Sequence, residues 1–184
     1  MYMKLIDIYN KIVGSCEIEI GNLIINFWEN GNLWYIGNHV NKQKHSEWKW
    51  FWENGNLDCI GNYKNGEKHG EHKEFYEDGN LSYIGNYENG KKHEEWEEFW
   101  ENGNLKEKRN YENGEPHGEH KWFYKNGNLG YIGNYENGKK HGERKWFHEN
   151  GNLQRIENYR NGKEYGEWRY FDENGNLKEV EKCV

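Results

Sequence analysis

Phenylalanines stand at positions 27, 51, 75, 99, 123, 147 and 171, an unbroken interval of 24 residues, and each opens a variant of the phrase F-W-E-N-G-N-L. Self-similarity at this period marks units that are each one supersecondary element, unable to bury an apolar surface alone and so stacked on their neighbours. In the unit that starts at His45, Asn54-Gly55 and Asn65-Gly66 are hairpin signals, because a type I′ turn needs positive φ at both central residues. The first pair occurs in all seven units, as Asp78-Gly79 in one, and the second recurs at Asn89-Gly90, Asn113-Gly114, Asn137-Gly138 and Asn161-Gly162. Two strands and two tight turns per unit predict an all-β fold: a single-layer, elongated, twisted antiparallel meander of seven 24-residue β-hairpin repeats, a solenoid of fourteen strands. At about 4.8 Å per strand it would extend roughly 65 Å.

Two-residue turns set the register by counting outward. Trp52 then opposes Leu57, Trp50 opposes Cys59 and Trp48 opposes Gly61 on one face, with Tyr35 beside Trp48. Trp146 and Trp168 both fall near Arg155. An aromatic face of Trp48, Trp50, Trp122, Tyr131, Trp146, Arg155 and Trp168 is expected to replace a conventional core, large rings packing on glycine and on each other. The opposite face repeats Glu47, Lys49, Phe51, Ile60 and Asn62 as Glu143, Lys145, Phe147, Ile156 and Asn158, a phenylalanine-isoleucine seam in a charged field. Residues 1–22 break the phase and are rich in isoleucine, which reads as an N-terminal cap on one sheet edge, with residues 23–184 forming the array. Lys178, Glu179, Glu181 and Lys182 charge the last strand.

Aromatic residues reach 17% and hold fixed phases, which a solvated low-complexity tract has no reason to maintain, so the chain is expected to fold despite its polarity. The formal charge of -7 disfavours direct nucleic-acid binding, which draws its affinity from basic side chains displacing counterions. Cys16, Cys59 and Cys183 occupy unrelated phases, and their spacing suggests neither a disulfide ladder nor a zinc site. They read as reduced thiols of a cytoplasmic protein. No stretch looks like a secretion signal or is long enough to span a bilayer.

Two ladders invite chemistry. His45, His69, His93, His117 and His141 recur once per unit, about 9 to 10 Å apart, too far for two of them to share one metal ion, and are expected to bond the side chains of Asn62, Asn86, Asn110 and Asn134. Glu47, Glu71, Glu95, Glu119, Glu143 and Glu167 have Lys49, Lys73, Lys121, Lys145 and Arg169 two residues on in all units but the fourth, a pattern of solvated pairing.

The fourth unit breaks the pattern, and such breaks are where function concentrates. Glu94 takes a glycine position, Glu97 a lysine position, Lys108 an isoleucine position and Arg109 another glycine position. Counting sets Glu97 against Lys108 and Trp96 against Arg109, as a charge pair and a cation–π pair. It also sets Glu98 against Glu107 with His120 beyond, where adjacent carboxylates would raise one pKa. Glu94, Trp96, Glu98, Glu107, Arg109 and His120 are therefore the candidate partner-binding residues. An acid-base site at Glu98, Glu107 and His120 is the sharper alternative, but a flat sheet offers no pocket to exclude water, and no nucleophile, phosphate-loop or zinc-hydrolase motif is present. The reading is non-enzymatic, without cofactor or metal.

The phrases G-E-W-R-Y-F-D-E-N-G-N-L (Gly166 to Leu177) and N-Y-E-N-G-K-K-H-G (Asn134 to Gly142) resemble the bacterial variant of the MORN repeat, over residues 21–184. Proteins of this kind are often antitoxin or immunity components, and the broader MORN group is associated with membrane-proximal scaffolding. The resemblance implies an interaction protein with no catalytic residue to transfer. The expectation is a cytoplasmic module that binds and inhibits a protein partner, such as a basic toxin or nucleic-acid enzyme, with a membrane-associated scaffold as the alternative.

Overall fold

The computed structural model describes residues 17–183. The first half of the chain carries β1 (Ile18–Ile20), β2 (Leu23–Phe27), β3 (Leu33–Val40), β4 (Gln43–Phe51), β5 (Leu57–Lys64), β6 (Glu67–Phe75), β7 (Leu81–Glu88) and β8 (Lys91–Phe99). The second half continues with β9 (Leu105–Glu112), β10 (Glu115–Phe123), β11 (Leu129–Glu136), β12 (Lys139–Phe147), β13 (Leu153–Arg160), β14 (Lys163–Glu164), β15 (Gly166–Phe171) and β16 (Leu177–Cys183). All join one antiparallel sheet in chain order, with β14 and β15 both pairing β13. The sheet has sixteen strands where fourteen were expected. One addition is β1, from the expected cap, which pairs Ile18 with Ile25 along the edge of β2. The other arises because β14 and β15 are two pieces of one interrupted strand. Residues 1–16 of that cap, Cys16 among them, lie outside the described residues.

The second Asn-Gly pair behaves as a type I′ turn in the five places where it occurs, and Asn41-Lys42 does the same in the first unit. Asn65 and Gly66 have φ of 53° and 85°, and Lys64 pairs with Glu67 across them. The first pair does not. At Asn54-Gly55 only the glycine enters the left-handed region, Gly55 N–H donates to the Trp52 carbonyl at 2.9 Å, and Trp52 N–H donates to Asn56 O at 2.8 Å. This is a longer loop built on a type I turn with glycine in the left-handed region. It ends the ladder at Phe51 opposite Leu57, so Trp52 does not oppose Leu57.

Freed from the ladder, the loop ties each unit to the next. Trp52 Nε1 donates to Phe75 O at 3.1 Å, and Trp28 and Trp100 make the same bond to Phe51 and Phe123. Tyr76 and Tyr124 reach the corresponding carbonyls through their hydroxyls. Asn54 Oδ1 accepts from the Asn56 N–H, and the Nδ2 groups of both asparagines donate to Glu77 O, each at 2.9 Å. The repeated phrase is thus an inter-repeat staple, which explains its recurrence in unit after unit.

A second departure lies in the strand that opens each unit. Asn38 pairs with His45, yet Gly37 pairs with Trp48, so two extra residues bulge from β4. Tyr35 consequently opposes Trp50 and not Trp48. The bulge needs a left-handed residue, supplied by Gly70, Gly118 and Gly142 but by Ser46 (φ 60°) and Glu94 (φ 57°) elsewhere. A side chain costs roughly 1–2 kcal/mol in that conformation. Glu94→Gly is therefore expected to stabilise the protein by about 1 kcal/mol, with the unfolded-state entropy of glycine offsetting the rest. A urea midpoint unchanged or lowered in that variant would contradict the strain.

Every buried side chain among the described residues lies on one face of the sheet: Ile24, Asn26, Trp48, His72, Trp96, His120, Tyr131, Arg144, Glu157 and Tyr159. The large residues at positions 48, 72 and 96 lie flat on a glycine of the preceding strand. A Cβ on Gly37 would come within 2.1 Å of the Trp48 ring, on Gly61 within 1.9 Å of His72, and on Gly85 within 2.3 Å of Trp96. Trp48 thus covers Gly37, not Gly61. Lysine stems close the stripe from above, Lys44 Nζ lying 4.4 Å from the Trp50 ring and Lys92 Nζ 4.0 Å from Trp96. Lys178, Glu179, Glu181 and Lys182 do lie on the edge strand β16.

Candidate functional site

The aromatic face forms largely as expected. Trp48 stacks on Trp50 at 5.6 Å, Tyr131 meets Trp146 at 4.5 Å, and Trp122 packs edge-on against Tyr124 at 4.7 Å. The Arg155 guanidinium covers Trp146 at 4.6 Å. Trp168 is not its second neighbour: Arg155 pairs with Tyr170, and Trp168 packs on Tyr159 at 5.6 Å.

Polar stations interrupt this stripe. In the fourth unit Glu98 pairs with Glu107 and Trp96 with Arg109 along the ladder, as counted. The side chains choose other partners. Glu98 turns to Lys106 at 3.4 Å, and Arg109 turns away from Trp96 to place Nη2 at 2.5 Å from Glu107 Oε1. The same oxygen lies 2.7 Å from His120 Nε2. The two-residue bulge of β10 sets Trp122 opposite Glu107 and brings His120 in diagonally. Burial alone would raise the Glu107 carboxyl, but the hydrogen bonds from His120 and Arg109 and their charges hold it below the usual carboxylate range. The expected carboxylate repulsion is therefore absent at Glu107, because the guanidinium supplies the counter-charge. Lys108 bridges Glu95 at 2.7 Å and Glu97 at 2.9 Å, so the charge compensation counted in this unit is present. Glu94 is exposed at the bulge.

Two further stations were not anticipated. Buried Arg144 faces Tyr131 at 4.8 Å and lies opposite buried Glu157 on the ladder, while Glu157 Oε1 lies 2.8 Å from Arg155 Nε. Cys59, His72 and Glu74 gather with their ligand atoms within 4.8 Å of one another. Cys59 Sγ lies 3.4 Å from His72 Nε2, and Tyr83 donates to Glu74 Oε1 at 2.6 Å. Burial pushes the Cys59 thiol up to about 12, with the Glu74 charge adding to it, and holds His72 down at about 4. The signal was available: Cys59 and His72 occupy the repeat positions of Glu107 and His120, 48 residues earlier.

Three of the five ladder histidines lie beside carboxylates and not on the asparagine side chains. His93, His117 and His141 lie 3.7, 3.5 and 3.1 Å from Glu88, Glu112 and Glu136, while Asn158 Nδ2 donates to the Glu167 carbonyl. On the opposite face Glu47, Glu71, Glu119 and Glu143 pair with the lysine two residues on at 2.5 to 2.8 Å.

What these pairings leave unneutralised is one edge of the sheet. The loop tips carry Glu29, Glu53, Glu77, Glu101, Glu149 and Glu173, all exposed, with Lys125 the one basic tip among them. None of these glutamates is in an ion pair among the described residues. The opposite turns carry both signs, as in Lys64 with Glu67, Glu88 with Lys91 and Arg160 with Lys163.

The model of the MORN repeat variant matches the chain over residues 23–41, 44–65, 68–89, 92–113, 116–138, 140–161 and 164–181. The chain belongs to the MORN repeat variant family. Each MORN match from the second to the sixth covers a strand, the stapling loop and the next strand, so the type I′ turn is the junction between MORN repeats. MORN repeats are protein-binding repeats, which makes an interaction role the coarse function. No curated protein matches this MORN chain. Among solved structures it is similar to a mutant of S. aureus TarM in complex with fondaparinux, alpha-GlcNAc-glycerol and UDP, at 14% identity and a TM-score of 0.37 over 63% of this chain and 23% of that one. A second TarM structure gives 15% identity and a TM-score of 0.35, over 61% and 24%. The chain thus spans under a quarter of those proteins, and a likeness this low carries no functional argument.

Proposed function

We propose that this chain is a non-enzymatic cytoplasmic module that binds a basic surface of a protein partner along its acidic loop edge and inhibits that partner, in the manner of an antitoxin or counter-defence inhibitor of a nucleic-acid enzyme. The observation that carries the reading is the row of exposed, unpaired glutamates at six of the seven loop tips. Two strands per repeat space the row at about 9 to 10 Å. The Asn-to-carbonyl staples hold each tip against the next, as at Glu53, Glu77 and Glu149, so little order remains to be imposed on binding. A rigid line of like charge steers a basic partner and fixes its register.

The test is a pull-down from source cytosol in low and high salt, followed by association kinetics and activity assays with the captured protein. Glu53→Lys, Glu77→Lys and Glu101→Lys together are expected to slow association by at least about tenfold at low salt and to relieve inhibition. Three matched reversals at the mixed edge, Glu67→Lys, Glu88→Lys and Glu115→Lys, are expected to have little effect. Binding that survives the triple reversal, or that depends on Glu94, Glu98 and Glu107 instead, would move the partner to the aromatic face.

A further inference from the structure

We propose that Cys59, His72 and Glu74 form a binding site for a borderline divalent transition-metal ion, of the class of zinc(II) or cobalt(II). The three positions converge because Cys59 is the direct cross-strand partner of Glu74, and His72, two residues before Glu74 on β6, shares its face. Tetrahedral zinc with S and N ligands at about 2.3 and 2.05 Å sets those atoms about 3.6 Å apart. Cys59 Sγ and His72 Nε2 stand at 3.4 Å, close to that separation before any ion enters. Glu74 completes a thiolate, imidazole and carboxylate set that suits these metals, all three ligand atoms lying within 4.8 Å of one another.

Two observations distinguish this station from its relatives. At the equivalent place two repeats on, Glu107 and His120 already have a cation, the Arg109 guanidinium. The residue at Arg109's position here is Gly61, with no side chain to fill the role. Among the described residues Glu74 is in no ion pair, and the neighbouring ammoniums are held against rings, Lys44 on Trp50 at 4.4 Å and Lys68 on Tyr87 at 4.8 Å. Second, Tyr83 already orients Glu74 through Oε1, leaving Oε2 free, which is the outer-shell contact that a carboxylate ligand requires. His72 is 1% exposed and locked on Gly61, so its ring cannot swing away. Binding replaces the Cys59 S–H bond with a sulfur–metal bond and releases one proton to solvent, with no redox change. A fourth ligand would come from water or from a partner.

Cobalt(II) titration of the chelator-treated full chain, under a non-thiol reductant, tests this. One equivalent is expected to produce a near-ultraviolet thiolate-to-cobalt band with the intense visible bands of a tetrahedral site, both bleached by zinc(II). Cys59→Ser, checked by circular dichroism to be folded, is expected to lose the thiolate band. Tyr83→Phe, which keeps the ring against Trp96, is expected to weaken binding by about tenfold. Absence of the band in the wild type, or its persistence in Cys59→Ser through Cys16 or Cys183, overturns the site.

Discussion

Gly85→Ala is expected to cost about 3 kcal/mol, at the upper end for a single overpacked methyl group. The added Cβ would fall 2.3 Å from Cδ2 and Cε2 of Trp96. The ring has nowhere to go: it is 6% exposed, its Nε1 donates to Asn86 O at 3.1 Å, Tyr83 stacks on it at 5.2 Å, and Lys92 covers it. Because each repeat touches only its neighbours, the damage stays in the central units, and the unfolding transition should broaden as well as shift. A double-mutant cycle assigns the cause. In a Trp96→Ala background the same glycine change should cost under about 0.5 kcal/mol, since the clash has been removed. An undiminished cost there would mean that backbone freedom, and not the ring, is what Gly85 supplies.

Glu107→Gln is expected to destabilise by about 2 kcal/mol at neutral pH, the range for hydrogen bonds to charged groups, reduced because Arg109 is partly exposed. Its carboxyl is depressed in the fold, so its contribution is fully present above the ordinary carboxylate pKa of about 4.3 and is lost as pH falls through the lower folded value. The stability gap between wild type and variant should therefore be widest near pH 7 and close below about pH 4. Glu98→Gln should change stability by less than about 0.5 kcal/mol, since Glu98 rests on a surface pair with Lys106. Had Glu98 and Glu107 shared a proton as repelling neighbours, Glu107→Gln would be neutral or stabilising. Denaturation curves of both variants at several pH values separate the two arrangements.

The 24-residue period, the hairpin meander, the two faces and the aromatic stripe were all legible in the chain. The faces held even where partners did not. Counting assigned Tyr35 to Trp48 and His120 to Glu107, and both are displaced by two residues, because each bulge inserts two. An insertion of two preserves the alternation of a pleated strand, so the side stays right while the partner shifts. The bulge could have been suspected from Gly70, Gly118 and Gly142, glycines in mid-strand with no turn beside them. The first Asn-Gly pair misled for another reason: Asn-Gly also ends a type I turn, and only the bonds of Trp52 and Asn56 to the next unit reveal which turn forms.

By itself the sequence determined architecture and periodicity, since strand alternation and turn chemistry are local properties repeated seven times. It also placed Glu98, Glu107, Arg109 and His120 in one neighbourhood. Tertiary structure alone decided which of them join: Arg109 leaves Trp96 for Glu107, Glu98 leaves for Lys106, and Cys59 meets His72 and Glu74. Long polar side chains on one face have several partners within reach, and the choice follows from burial and charge balance in three dimensions, which no spacing along the chain encodes.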